Sequence, residues 1–161
     1  MIRVEESVEI DKPVEEVFSY TTNPENLPHW AATVIEVRQE DAPGGAGPPG
    51  RKGERFTLTQ QALGRRFEAP FEVIDYEPNR RYVHRGTEGH PVPVTMVFVS
   101  EPLSSDGTRF TPRIEAEPGS FFGLVGPVLK GAIRRQLKTN LETLKELLER
   151  REAGREPVGE E

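Results

Sequence analysis

Cysteine is absent from these 161 residues, which excludes disulfides and thiolate-held metals. Histidine numbers three, His29, His84 and His90, and two of them stand beside prolines. So scattered a set does not match the grouped ligands of a metal site. Positive charge is in deficit, 21 Lys and Arg against 27 Asp and Glu, for a net charge of -6. The basic residues occur in ones and twos, whereas nucleic-acid binding favours a basic stripe. No apolar run approaches the roughly 18–20 residues of a membrane span. Met1-Ile2-Arg3-Val4-Glu5-Glu6 lacks the apolar core of a signal peptide. The expectation is a cytoplasmic protein with no stable membrane insertion, no nucleic-acid partner, no metal and no cofactor. The length suggests one domain. A hydrophobic content of 34% is modest; it suits a partly hollow interior and equally a strongly polar surface.

The chain divides by its apolar period. Ile2, Val4, Val8 and Ile10 alternate with polar residues, which predicts a strand with one buried face, broken in pattern only at Glu6. Asp11-Lys12-Pro13 then opens a helix, since proline is tolerated in a first turn and Glu15 and Glu16 suit its positive end. Val14, Val17 and Phe18 form its stripe. Asn23-Pro24-Glu25 repeats the start signal for a second, shorter helix carrying Leu27 and Trp30. From Val34 to Ala116 the period is two, strand after strand, with turns at Glu77-Pro78-Asn79 and Ser104-Ser105-Asp106-Gly107. Pro112 falls on the apolar parity of the last strand, which marks an edge or a bulge. After residue 120 the step becomes three or four: Phe122, Val125, Leu129, Ile133, Leu137, Leu141, Leu144 and Leu148 predict a long amphipathic helix over 127–151. Gly154 supplies a stop, and 153–161 is expected as a disordered tail. The class is α+β, one domain over 1–152.

Several segments of this chain resemble a known family. They are Val8-Glu9-Ile10-Asp11-Lys12-Pro13-Val14-Glu15-Glu16-Val17-Phe18, Asn23-Pro24-Glu25-Asn26-Leu27-Pro28-His29-Trp30, Gly107-Thr108-Arg109, and Leu141-Glu142-Thr143-Leu144-Lys145-Glu146-Leu147-Leu148-Glu149. Together they resemble the START-like, or Bet v 1-like, superfamily, also known as SRPBCC or the polyketide cyclase/dehydrase and lipid-transport group, over roughly residues 3–150. The resemblance implies a helix-grip fold: a curved seven-stranded antiparallel sheet around a long C-terminal helix, two short helices after the first strand, and an apolar cavity between. It implies binding, transport or sequestration of a small hydrophobic ligand such as a lipid, quinone or polyketide. A cyclase/dehydrase-like enzyme and a co-chaperone-like interaction module are the alternatives. The family has no common catalytic motif to carry over, and oligomeric state is open.

Strand parity and the helix face nominate the residues that would line such a cavity: Phe56, Leu58, Phe71, Tyr82, His84, Met96, Phe98, Phe110, Leu129 and Ile133, with Trp30 and Phe122 at its rim. The aromatic members read equally as plain core, because a ligand pocket is itself lined mainly by apolar and aromatic groups. Trp30 is either an anchor for the second short helix or the roof of the pocket mouth. His84 is either a cavity-facing polar group able to act as acid or base, or a satisfied structural histidine. Gly45-Ala46-Gly47-Pro48-Pro49-Gly50 matches a dinucleotide-binding pattern in letters, but two prolines and a following strand signal make it a loop. Asp75 and Glu77 are expected to be a solvated strand end. Arg113 and Glu115 are expected to face solvent and pair with neighbouring strands. Pro118 to Gly131, rich in glycine and carrying Phe121 and Phe122, is expected either to gate the cavity or to anchor the start of the helix.

Overall fold

Ile2 and Val4 are buried while Arg3 and Glu5 are exposed, so the alternation at the start of the chain becomes a strand with one face inward. The computed structural model describes residues 1–40, 51–62, 64–90, 92–117 and 126–158. The elements run β1 (Ile2–Glu5), β2 (Val8–Ile10), α1 (Val14–Thr21), a 3-10 turn (Pro24–Asn26), α2 (Leu27–Trp30), β3 (Val34–Gln39), β4 (Arg55–Ala62), β5 (Arg65–Glu77), β6 (Arg81–Gly86), β7 (Val94–Ser104), β8 (Gly107–Ala116) and α3 (Gly126–Val158). The strands form one antiparallel sheet in the order β1-β8-β7-β6-β5-β4-β3, with β2 also on β8. This is the helix-grip arrangement, with short helices after the first strand and a long terminal helix.

The single expected first strand is two, which makes eight strands of seven. The cause lies across the ladder. Glu5 stands opposite Arg113 and Val8 opposite Phe110, so Pro112 faces the gap at Glu6-Ser7. The Pro112 carbonyl accepts the Glu6 N–H at 3.3 Å. Its nitrogen points to the same neighbour and has no proton to give, so the pairing cannot run through. A second irregularity lies in β5. Val73 pairs with His84 and Asp75 with Val83, which leaves Ile74 as a bulged residue. The bulge slips the strand's parity. Val73 and, beyond it, Tyr76 both join the core, while Asp75 turns out to Arg81 at 3.0 Å.

The short helices fold as their sequences ask. Pro13 is extended at the head of α1, Glu15 and Glu16 occupy its first turn, and Val17, Phe18 and Thr21 are buried. Thr22 ends it by donating its hydroxyl to the Phe18 carbonyl at 2.8 Å. The Asn23 side chain then accepts the Glu25 N–H at 3.1 Å and starts the next turn. The turn after β5 places Asn79 at φ 62°, a left-handed conformation that asparagine tolerates better than most residues.

Helix α3 buries Leu137, Leu141, Leu144 and Leu148 along one face; full burial of a leucine contributes about 1.5–3 kcal/mol. Asn140 tethers it to the corner after α2 by accepting the Ala32 N–H at 3.2 Å. The helix does not stop at Gly154 but runs to Val158. Ala153, Arg155 and Glu156 around that glycine are good helix formers, and one glycine costs only about 1 kcal/mol. The expected tail is therefore helical over 153–158. None of the helices described is long and apolar enough to cross a membrane.

Candidate functional site

The inward positions of β4 to β8 carry aromatic side chains at matching registers. Phe56 stands opposite Phe71, Val73 opposite His84, Tyr82 opposite Phe98, and Ser100 opposite Phe110. Trp30 comes down on them from α2. The side chains meet: His84 lies 5.3 Å from Phe56, 4.9 Å from Phe71, 5.4 Å from Tyr82 and 5.5 Å from Phe98, centroid to centroid. Trp30 lies 5.9 Å from Phe98 and 6.0 Å from Phe110, which are 5.3 Å from each other. Most of these contacts are tilted or edge-to-face, the arrangement in which a pair contributes about 0.5–1.5 kcal/mol beyond its buried area.

Of the residues nominated from sequence, Trp30, Phe56, Leu58, Phe71, Tyr82, His84, Phe98 and Phe110 are all buried, and Met96 is half-buried against the same cluster. Leu129 and Ile133 are not part of it. They pack with Ile2, Val4 and Leu137 in a second cluster, beside Ile114. The reason is the path of α3: its first turns cross the β1–β8 end of the sheet, and only from Leu141 does its apolar face reach the aromatic group. The ten residues thus divide between two packing clusters. Phe122, the Gly45–Gly50 loop and Pro118 to Val125 of the expected gate lie outside the described residues.

Burial governs the electrostatics here. The His84 imidazole is 2% exposed, and desolvation pushes its pKa down to about 3, so it is neutral at physiological pH. Its Nδ1 has no hydrogen-bond partner. The Tyr82 phenol is held above its ordinary value, first by burial and then by the charges of Glu54 and Tyr76 nearby. His90 sits half-buried with its ring 5.0 Å from Phe71 and its Nδ1 accepting the Val92 N–H at 3.2 Å; burial lowers its pKa too. Two further buried atoms on this side lack a partner, Trp30 Nε1 and Ser100 Oγ. An unpaired buried polar atom costs on the order of 1–3 kcal/mol, so three in one apolar interior call for a function.

Sequence reasoning missed Tyr76, Ser100 and the buried Glu54. Ser100 follows Met96 and Phe98 on one parity, so its signal was present. Tyr76 had none, since the bulge at Ile74 moves it to the inner face. The paired carboxylates behave as strand-end ion pairs, Asp75 with Arg81 and Glu77 with Arg80 at 3.7 Å. Arg113 contacts Glu115 at 2.7 Å and Glu5 at 3.7 Å, and Glu115 also meets Arg3 at 3.5 Å. Among the described residues no group of three His, Asp or Glu is placed to hold a metal. His29 lines a polar groove of about 480 Å³ with Glu16, Ser19, Tyr20, Asn23, Asn26 and Leu147, and none of the rings around His84 borders it. A smaller depression of about 150 Å³ lies at the ends of β6 and β7, where Val94 both lines it and packs on the aromatic cluster.

The family model described as polyketide cyclase/dehydrase and lipid transport matches residues 1–149. Comparison with curated proteins finds no match. Among solved structures, a START superfamily protein from Mycobacterium smegmatis superposes with a TM-score of 0.76 at 18% identity, over 93% of this chain and 99% of that one. The Zhui aromatase/cyclase from Streptomyces sp. R1128 gives 0.71 at 16% identity, over 92% and 94%. The di-domain ARO/CYC BexL of the BE-7585A biosynthetic pathway gives 0.68 at 18% identity, over 92% of this chain and 47% of that one. At these identities the likeness is one of fold.

Proposed function

The chain belongs to the polyketide cyclase/dehydrase and lipid-transport family, and from that premise we propose that it binds one small apolar ligand in the interior between the sheet and α3, within a single domain of residues 1–152. The observation that carries the reading is His84. A neutral imidazole with an unpartnered Nδ1, enclosed by Phe56, Phe71, Tyr82 and Phe98, is a hydrogen-bonding point in an apolar enclosure. Binding draws its free energy from apolar surface leaving water, about 25 cal/mol per Å², and the polar points set orientation. Lipids, quinones and polyketides all have that character.

Acid–base catalysis fits this histidine poorly. A group held at a pKa of about 3 is a weak base near pH 7, and no described side chain hydrogen-bonds to Nδ1 to orient it. A cyclase would need a buried acid–base pair at this point. A co-chaperone-like surface would need a contiguous apolar patch. Among the described residues the exposed large apolar ones, Met1, Ile35, Leu103 and Val128, are spread over four separate segments.

Native mass spectrometry of the purified protein tests the proposal. The expected spectrum contains a one-to-one adduct that organic extraction releases as a neutral apolar molecule, and the extracted protein then binds N-phenyl-1-naphthylamine with enhanced emission. A spectrum of bare protein together with no probe binding rejects a ligand-binding interior.

A further inference from the structure

Resting on that reading, we propose that the ligand presents a hydrogen-bond-accepting oxygen, a carbonyl in the simplest case, to one wall of the interior, and that the Trp30 indole N–H is the donor that selects it. The wall is the Phe98–Phe110 pair. Trp30 packs on both rings, His84 packs on Phe98 as well as on Phe56 and Phe71, and Ser100 stands opposite Phe110 in register. Each of the three contributes one buried atom without a partner, Nε1, Nδ1 and Oγ, and each residue is at most 4% exposed. The facing wall of β4 and β5 is different. Its inward residues Phe56, Leu58, Ala69, Phe71 and Val73 are apolar as far as the bulge at Ile74, beyond which Tyr76 brings a phenol to the same cluster. The unpartnered polar atoms of this interior thus belong to Trp30, His84 and Ser100 and to no side chain of β4 or β5.

The three atoms are not equivalent, and the difference names the chemistry. A hydroxyl and a neutral imidazole each adapt as donor or acceptor, but an indole nitrogen only donates. Trp30 therefore needs an acceptor atom, which no hydrocarbon carries. A carbonyl oxygen has two lone pairs, so it can take the indole N–H and still accept from His84 or Ser100. The ligand is then held with its oxygen at the Trp30 indole and its hydrocarbon body among the surrounding apolar rings. The same carbonyl can sit on a fused-ring skeleton or in the middle of an acyl chain, and the experiment separates the two.

Trp30 is the sole tryptophan, so its indole gives one N–H resonance in a ¹H–¹⁵N spectrum and needs no assignment by mutation. Two shape-matched pairs are titrated: fluorene with 9-fluorenone, and pentadecane with 8-pentadecanone. For the pair whose skeleton fits, the ketone is expected to bind about tenfold tighter than its hydrocarbon, the worth of one well-made hydrogen bond, and to move the indole resonance downfield. Trp30→Phe is expected to erase the preference while keeping hydrocarbon binding. Ser100→Ala, which removes one hydroxyl, is expected to keep the downfield shift. Equal binding of ketone and hydrocarbon, or a tighter ketone that leaves the indole resonance in place, overturns the role of Trp30 while leaving the ligand-binding reading standing. Failure of all four compounds and of the naphthylamine probe to bind removes that reading itself. Should Trp30→Phe not fold, the wild-type resonance decides alone.

Discussion

An imidazole that titrates near pH 3 inside the fold and near 6.5 in an unfolded chain makes protonation and unfolding mutually favourable. Between those values the unfolded chain takes up a proton that folded His84 refuses. The stability this histidine permits is whole above pH 6.5 and is lost as pH falls, by at most about 1.4 kcal/mol per unit for one site. His90, lowered by burial as well, acts in the same direction. The urea midpoint should therefore drop between pH 7.5 and 5. His84→Leu should flatten that drop to the share left to His90, and at pH 7.5 the variant should match or exceed wild type, because it removes a buried atom with no partner. Denaturation series at the two pH values read both; an unchanged slope in the variant would mean the imidazole is solvated. His84 was legible as an inward residue, since strands alternate by two. Its isolation was not, because parity says which face a side chain takes and nothing of what the neighbouring strands put beside it.

At the scale of elements, α3 is anchored unevenly. Leu144 and Leu148 are fully buried, whereas Leu129 and Ile133 are half-buried and Val128 is 74% exposed. Leu144→Ala should cost about 2–5 kcal/mol, as core truncations do, and Leu129→Ala distinctly less. Hydrogen exchange should follow the same gradient, with amides of 130–134 exchanging well before those of 141–148. Equal losses from the two substitutions would mean that the helix is held evenly along its length. The helix itself was plain in the sequence from its three-and-four step. Which turn meets which part of the sheet was not, because that depends on the crossing of α3 over β1, which no local pattern encodes. The break at Glu6-Ser7 falls between these cases: the odd residue and the odd proline were both visible, but only the register of Pro112 against that gap joins them.

For the molecule as a whole, binding and stability are one equilibrium. A ligand that fits only the folded interior raises the unfolding free energy by about 2.7 kcal/mol at 100 times its Kd. A thermal scan with the better-binding ketone at that excess should show a clear upward shift of Tm, independent of salt because the ligand is neutral. Binding without any shift would place the site on a surface unfolding does not destroy. Most of the antiparallel sheet and the terminal helix were readable, since from β3 to β8 each strand pairs with its successor. The exception is closure of the far edge, where Ile2 meets Ala116. That pairing has a consequence for synthesis. During synthesis β1 and β2 have no sheet partner until Gly107–Ala116 has emerged, so Ile2, Val4 and Ile10 wait with their apolar faces bare. Pairings this distant in sequence put folding towards the slow end for domains of this size. Through that interval the charges interleaved with those residues, Arg3, Glu5, Glu6 and Glu9, act as gatekeepers that keep a nascent edge from pairing with the wrong chain.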